Sequence, residues 1–242
     1  MKPFCFLLFL FRSTLTLAES VPSGFPNKGS LAGSRDLYEF IQQRPQILKS
    51  VSPREFQFGS DQMAAALEKI GSWAQEIGRA PVWVGDISKK EGGKIALHLT
   101  HQRGLDADIG YLVVEKKNTG HRAEKFHNRF SQKWQLPEEV ERDFALENNY
   151  RLLKNVVSNL DVGAVFVGCA IYDALERYDK KHSPSILEKV YAQKGHEDHF
   201  HLRIKCPKEL IDCSEKWWLD PAPPQKKKKR NGEMVNGKWR EC

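Results

Sequence analysis

The sequence predicts an α+β domain in which helices flank a central antiparallel sheet. Helical and extended patterns are mixed along the 242 residues without the regular strand–helix alternation of a parallel sheet. Two segments, Leu105–Val114 and His199–Lys205, alternate apolar and polar residues, as strands with one buried face do. Hydrophobic residues make up 40% of the chain, which is enough for a substantial core.

Three elements are predicted before the first of these strands. Apolar residues recur at helical spacing over Ser60–Ile77, with Ser60 suited to cap the start of a helix and Gly78 to end it. Pro81–Ile87 is predicted to be a strand. After a glycine-containing turn, extended structure is expected to resume at Ile95–Leu99.

The second half of the chain begins with a polar, irregular connection at Glu115–Pro137, of the kind that often carries function. A helix is predicted over Glu138–Leu160. The elements expected before the strand at His199 are a short buried strand at Ala164–Val167, a helix at Ala170–Tyr178 and further helical structure at Ser185–Tyr191.

The two ends of the chain differ in composition from its body. Residues 1–18 are typical of a secretory signal peptide: Lys2 precedes the apolar run Pro3–Phe11, which is too short to span a bilayer. We divide the remainder into a loosely ordered lead-in at 19–54, a domain at 55–220 and a basic tail at 221–242. No other segment approaches about 18 apolar residues, so we expect a soluble exported chain without a transmembrane segment.

The net charge of +7 is concentrated in the tail. Lys and Arg number 38 against 31 Asp and Glu, and the run Lys226–Arg230 accounts for much of the excess. Because the rest of the chain is nearly balanced, its charge does not indicate a nucleic-acid-binding protein. The run is predicted to be solvated, and attachment to an anionic envelope polymer is the alternative.

Four of the five cysteines lie outside the signal segment: Cys169, Cys206, Cys213 and Cys242. An even number in an exported chain favours disulfides over free thiols. Cys206 and Cys213 are close enough to close a small loop, which would leave Cys169 for Cys242, but the sequence alone does not choose among the three pairings. A zinc site made of these cysteines is disfavoured because no C-x-x-C spacing occurs.

Metal-ligand residue types recur on the polar faces of the two alternating strands. In THQRGLDADIGY, His101 precedes Asp108 by seven residues, and Gly104 allows the chain to turn between them. In GHEDHFHLRIKC, His199 and His201 share one face. If the two strands are neighbours, His101, Asp108 and His201 match the three protein ligands of a hydrolytic zinc site, and His199 is placed to take a proton from water.

Each part of this pattern has a simpler interpretation. Asp106 and Asp108 could be solvated acids at a sheet edge, and His98 and His196 could be surface or supporting residues.

The two blocks also resemble a known family. PVWVGDISKKEGGKIALHLTHQRGLDADIGYLV, Pro81–Val113, and GHEDHFHLRIKC, Gly195–Cys206, are similar to the two motif blocks of the penicillin-insensitive murein endopeptidases. The resemblance covers roughly Phe56–Cys213 and extends to the metal centre of the lysostaphin, D-Ala-D-Ala metallopeptidase and hedgehog group. Thr100 stands where the family pattern has a serine.

The resemblance implies roles for individual residues. His101, Asp108 and His201 would bind one Zn²⁺, and His199 would be the catalytic base. His196 and His98 would assist catalysis from beside the metal, for example as a protonated partner of the oxyanion. It also implies a local disulfide between Cys206 and Cys213 and a further acidic residue, for which Asp143 and Glu147 are the candidates.

The function implied is that of a periplasmic zinc metalloendopeptidase, insensitive to penicillin, that hydrolyses D-alanyl-meso-diaminopimelyl cross-links between peptidoglycan stem peptides. Arg103, Arg122 and Arg129 are candidates to contact substrate carboxylates. The alternatives are a zinc carboxypeptidase that removes terminal D-alanine and a non-catalytic, zinc-stabilised cell-wall-binding module.

Overall fold

The computed structural model describes residues 19–50, 55–113, 144–180, 185–216, 233–235, 238–240 and 242. The largest feature of these residues is a six-stranded mixed sheet, accompanied by four helices. The strands are β1 Val21–Phe25, β2 Lys28–Ala32, β3 Arg35–Asp36, β4 Leu48–Ser50, β5 Phe58–Gly59, β6 Val82–Val84, β7 Asp106–Gly110, β8 Val162–Val167, β9 Val190–Ala192, β10 His199–Ile204, β11 Glu233–Val235 and β12 Lys238–Arg240. The helices are α1 Leu37–Gln42, α2 Asp61–Gly78, α3 Leu146–Asn159 and α4 Cys169–Asp179.

The main sheet has the order β4-β6-β7-β10-β8-β9. Its central pairs, β6–β7, β7–β10 and β10–β8, are antiparallel, whereas the edge pairs β4–β6 and β8–β9 are parallel. The predicted α+β class with a central antiparallel sheet is therefore confirmed, and the parallel edges are an addition to it.

One apolar core joins the sheet to the helices. Ala107 and Ile109 of β7 and Phe200 and Leu202 of β10 belong to the same buried cluster as the apolar faces of the helices. The side chains that alternate with them are therefore left for the opposite face of the sheet.

Helix α2 agrees closely with its prediction. Ser60 has extended backbone angles, and its hydroxyl oxygen accepts a hydrogen bond from the backbone N–H of Met63 at 3.1 Å. The helix ends at Gly78, and Arg79 takes the left-handed conformation that terminates it. No helix among the described ranges is both long and apolar enough to cross a membrane.

Four predictions of local structure are wrong. The helix predicted from Glu138 begins only at Leu146, and Phe144 lies instead in an isolated β-bridge with Val113. Residues 19–50 are not loosely ordered: they form the β1–β2 hairpin, α1 and β4. Ile95–Leu99 contains a turn rather than a strand, and Ser185–Tyr191 leads into β9 instead of forming a helix. Three predicted segments lie outside the described residues: the first eighteen residues, the 115–137 connection and the run 226–230. The division into domains stays a prediction.

Both disulfides form within the described residues. Cys206 pairs with Cys213, and Cys169 pairs with Cys242, so the C-terminal residue is tied to the start of α4. This is the pairing in which the shorter link closes a small loop.

Candidate metal centre

The pairing of β7 with β10 brings the two motif blocks together. In this antiparallel register His201 lies opposite Asp108 and Arg203 lies opposite Asp106, while His199 faces Gly110. The expected adjacency of the two strands is therefore found. Because side chains alternate along a strand, the polar residues of both strands lie on the same face of the sheet.

His101 reaches this face from the turn that precedes β7. Its backbone is left-handed, with φ of 65°, and its side chain is fully buried. Gly104 follows with φ of 68°, and a Cβ atom there would lie 2.6 Å from a methyl group of Leu31. A side chain at position 104 would be both strained and obstructed, so glycine is what allows the chain to return from His101 into β7.

Three potential ligand atoms converge at this point. His101 Nε2 lies 3.0 Å from His201 Nδ1 and 3.2 Å from Asp108 Oδ1, and the third separation, His201 Nδ1 to Asp108 Oδ1, is 3.4 Å. Tetrahedral zinc with ligands at about 2.0–2.1 Å holds its ligand atoms about 3.3 Å apart. The three atoms therefore have the mutual spacing that such an ion requires.

The other nitrogen of each imidazole is already committed as a donor. His101 Nδ1 donates to the carbonyl oxygen of Ile87 at 2.9 Å, and His201 Nε2 donates to Asp106 Oδ1 at 2.8 Å. The facing nitrogens, His101 Nε2 and His201 Nδ1, are thus the atoms left to offer a lone pair to an ion. A cation would stabilise two such nitrogens and a carboxylate oxygen in one buried space, and the outward hydrogen bonds are those typical of metal-binding histidines.

Asp106 is the residue that sequence reasoning most underestimated. It is fully buried, not solvated at an edge, and its Oδ1 also accepts a hydrogen bond from Arg203 Nε at 2.7 Å. Burial alone would raise the pKa of Asp106, but Arg203 and His201 hold it well below its usual range. Asp106 is therefore ionised and fixes the orientation of the His201 ring.

Asp108 lies at the centre of the ligand cluster, the group formed by Asp108 with His101 and His201. Its Oδ1 is within 3.2–3.5 Å of His101, His199 and His201, yet none of these contacts has the geometry of a hydrogen bond. Burial would raise the pKa of Asp108, but His101 and His199 keep it well below the ordinary value.

His199 is oriented by an acidic neighbour that the sequence prediction did not name. Its Nδ1 donates to Asp198 Oδ1 at 2.6 Å, while its Nε2 faces Asp108 Oδ1 at 3.5 Å. Burial lowers the pKa of His199, but Asp108 and Asp198 together raise it above the usual value. The only sequence signal for Asp198 was its position within the HEDHFH segment.

His98 lies at the side of the cluster, held by another carboxylate. Its Nε2 is 3.1 Å from Asp86 Oδ2, and its Nδ1 is 3.8 Å from Asp108 Oδ2. His98, His101 and Asp108 also offer ligand atoms within 4.8 Å of one another, so His98 is an alternative ligand to His201. The 3.4 Å from His201 Nδ1 to Asp108 is shorter than the 3.8 Å from His98 Nδ1 to Asp108 and matches tetrahedral zinc better.

His196 approaches from the loop before β10. Its Nδ1 donates to the carbonyl oxygen of Gln193 at 3.2 Å, and its backbone carbonyl accepts from the Tyr111 hydroxyl and the N–H of Gly168. A Cβ atom on Gly168 would lie 2.8 Å from that carbonyl oxygen, so the close approach requires glycine. Burial and the adjacent His201 and His199 lower the pKa of His196 to about 3.

The cluster opens into a pocket of about 220 Å³. Its lining includes the four site histidines 98, 196, 199 and 201, together with two loop segments, 97–100 and 193–195. A small substrate group could therefore approach the convergence point of the ligand atoms from this pocket.

Several sequence candidates lie elsewhere. Arg103 does not face the pocket: it is fully buried and donates to the carbonyl oxygen of Ser214 at 2.6 Å and to Cys206 Sγ at 3.0 Å. Glu147 is exposed in the first turn of α3, without an ion pair to any described residue of the site. Arg122, Arg129 and Asp143 lie outside the described residues.

Comparison with known proteins gives one consistent result. The family model described as "Penicillin-insensitive murein endopeptidase" matches residues 22–231. A protein with that name from Haemophilus influenzae is 29% identical over 175 residues, which make up 64% of this chain and 54% of the relative. The one from Escherichia coli O9:H4 is 26% identical over 215 residues, which make up 86% of this chain and 72% of the relative. The one from Salmonella paratyphi B is 28% identical over 219 residues, which make up 86% of this chain and 75% of the relative. The chain thus spans only about half the length of the Haemophilus protein.

Proposed function

Because this chain belongs to the penicillin-insensitive murein endopeptidase family, we propose that it is an exported zinc metalloendopeptidase that hydrolyses D-alanyl-meso-diaminopimelyl cross-links in peptidoglycan. The observation that carries the proposal is the convergence of His101 Nε2, Asp108 Oδ1 and His201 Nδ1 within 3.0–3.4 Å of one another. These three residues are the proposed ligands. A bound zinc ion would acidify a water molecule to a pKa of about 7 and polarise the scissile carbonyl.

His199 is the proposed general base. The hydrogen bond from its Nδ1 to Asp198 leaves the lone pair on Nε2, which faces the ligand cluster. In this role Nε2 takes a proton from the attacking water and returns it to the departing amine as the C–N bond breaks. Asp198 stabilises the imidazolium formed in between, as the orienting acid of a hydrolase dyad does.

His98 and His196 are proposed as assisting residues. The low pKa of His196 makes it neutral near pH 7, which argues against its acting as a protonated oxyanion partner. His98, whose Nε2 contacts the Asp86 carboxylate, is then the remaining candidate to contact the oxyanion.

Insensitivity to penicillin follows from such a mechanism. β-Lactams trap enzymes by acylating a nucleophilic serine, whereas the described pocket is lined by no serine or cysteine. Hydrolysis by an activated water needs no acyl-enzyme, so the proposed mechanism uses no nucleophilic side chain that the drug could acylate.

Export is supported by the pairing of all four cysteines of the predicted mature chain. Disulfides of this kind form in oxidising compartments such as the bacterial periplasm. The proposal therefore includes periplasmic localisation, with peptidoglycan stem peptides as the partner.

The test is incubation of purified protein with cross-linked muropeptide dimers, with products identified by mass spectrometry. We expect monomers in zinc-loaded samples, with or without penicillin, and none after treatment with a chelator until zinc is restored. Release of free D-alanine from pentapeptide monomers without dimer cleavage would identify a carboxypeptidase instead. Zinc-dependent binding to peptidoglycan without any product would identify a non-catalytic module.

A further inference from the structure

Two leucines at the mouth of the pocket lie in an unfavourable environment. Leu97 is fully exposed and Leu99 is 71% exposed, on either side of His98. Leu97 also has φ of 68°, a left-handed conformation that non-glycine residues rarely adopt. Exposed apolar side chains and backbone strain at the rim of a site both indicate a surface that is used in binding.

The loop that carries these leucines is held from both sides. Within the loop, His98 contacts the carboxylate of Asp86, which lies outside it. The carbonyl oxygen of Leu99 accepts a hydrogen bond from Gln102 Nε2 at 3.3 Å. His101 is fixed to the Ile87 carbonyl just beyond it. Because these anchors set the loop conformation, Leu97 and Leu99 are presented at the pocket as part of the fold.

A cation lies at the same pocket. Lys194 is exposed next to Gly195, which has φ of 90°, and both residues line the pocket together with the leucine loop. Among the described residues, no acidic side chain forms an ion pair with Lys194. The mouth of the pocket therefore combines an apolar surface with an available positive charge.

We propose that Leu97, Leu99 and Lys194 form a recognition rim for the diaminopimelyl residue on the leaving side of the scissile bond, an inference that rests on the proposed function. This residue carries a free carboxylate one carbon from the scissile nitrogen, followed by a three-carbon aliphatic chain. Lys194 binds the carboxylate, and the two leucines cover the aliphatic chain. The rim thereby selects cross-links made through diaminopimelate.

The experiment compares cross-linked dimers whose diaminopimelyl carboxylate is free or amidated. Substituting both leucines by asparagine, which tolerates the left-handed conformation, should weaken dimer binding and raise KM about tenfold or more while zinc content is unchanged. K194Q should weaken binding of the free-carboxylate dimer about two- to fivefold and remove the preference over the amidated dimer. Matched controls are I211N and K208Q on the disulfide loop, where Ile211 is 96% exposed and neither residue lines the pocket.

Binding and cleavage are measured separately, by calorimetric titration and by product analysis. Equal dimer affinity in the wild type and the double leucine variant, or an undiminished carboxylate preference in K194Q, would overturn the rim whether or not the dimer is cleaved. Absence of dimer binding to the wild type would overturn it too. Wild-type binding that depends on the rim without any cleavage would instead refute the proposed hydrolysis and leave the recognition rim in place.

Discussion

Substitution of Asp106 by asparagine tests whether this buried carboxylate prepares His201 for metal binding. Asp106 Oδ1 accepts from His201 Nε2 at 2.8 Å and from Arg203 Nε at 2.7 Å. Asparagine is nearly the same size and keeps an oxygen that can accept both bonds, but it removes the negative charge. His201 Nδ1 becomes less basic, and the ring is held less firmly.

The expected loss can be estimated from this contact. Removing a partner that orients a metal-binding histidine weakens metal affinity about 10- to 100-fold, or about 1.4–2.7 kcal/mol. At free zinc equal to one hundred times the wild-type Kd, zinc should stabilise the wild type by about 2.7 kcal/mol and D106N by only about 0.4–1.4 kcal/mol. Arg203 also loses its buried counter-ion, but that cost is common to the metal-free and zinc-bound forms of the variant.

The assay is chemical denaturation of each protein with and without zinc, together with a zinc titration in competition with a chromophoric chelator. The control is D161N, because Asp161 pairs with Lys205 at 3.2 Å but is 56% exposed and outside the cluster. Its zinc-dependent stabilisation should equal that of the wild type. If D106N binds zinc within twofold of the wild type, the orienting role of Asp106 is refuted.

Three further predictions follow from the same contacts. Replacing His199 by glutamine should lower kcat about 10²- to 10⁴-fold while one zinc per chain remains by metal analysis; loss of the zinc would make His199 a ligand instead of the base. In the metal-free protein, H196Q should lose less stability than the wild type between about pH 5.5 and about pH 4, measured by urea denaturation. The pKa of His196 in the folded state, about 3, lies below its unfolded value, so only the unfolded chain binds the proton and stability falls as the pH falls. The pKa values of His199 and His201 are raised, so their contribution to stability changes at higher pH and is already complete throughout this window. Equal slopes for both proteins would contradict the assignment to His196. Replacing Cys206 and Cys213 by serine should lower the free energy of unfolding by about 2.5 kcal/mol, because the unfolded chain gains the entropy of the opened loop. An unchanged free energy of unfolding would show that the small loop is already ordered without the disulfide.

The features that could be predicted from the sequence are those with a local periodic signal. Helix α2 has apolar residues at helical spacing and a serine cap, and β7 and β10 alternate strictly, so their positions follow from short windows of sequence. Their pairing could be anticipated because both carried ligand-type residues on one face. The roles of His101, Asp108, His199 and His201 stay predictions, to which the structure adds the distances between their ligand atoms.

The features that were missed depend on partners far away in sequence. Asp106 is buried because Arg203, 97 residues later, neutralises it, and no window around Asp106 contains that information. The β1–β2 hairpin is likewise secured by distant contacts, including the N–H of Gly24 bonded to the Asp212 carbonyl oxygen. The turn at Ile95–Leu99 looked extended because its apolar residues alternate, yet two of them are exposed at the pocket.

The register of β7 against β10 links assembly of the sheet to formation of the proposed ion site. A shift of one residue would turn His201 toward the hydrophobic interior and Leu202 toward the buried polar residues of the opposite face. An insertion or deletion of a single residue within either strand should therefore abolish ion binding and disrupt the interior together. Under the proposed function, uptake of the ion would thus report that the two strands have aligned correctly.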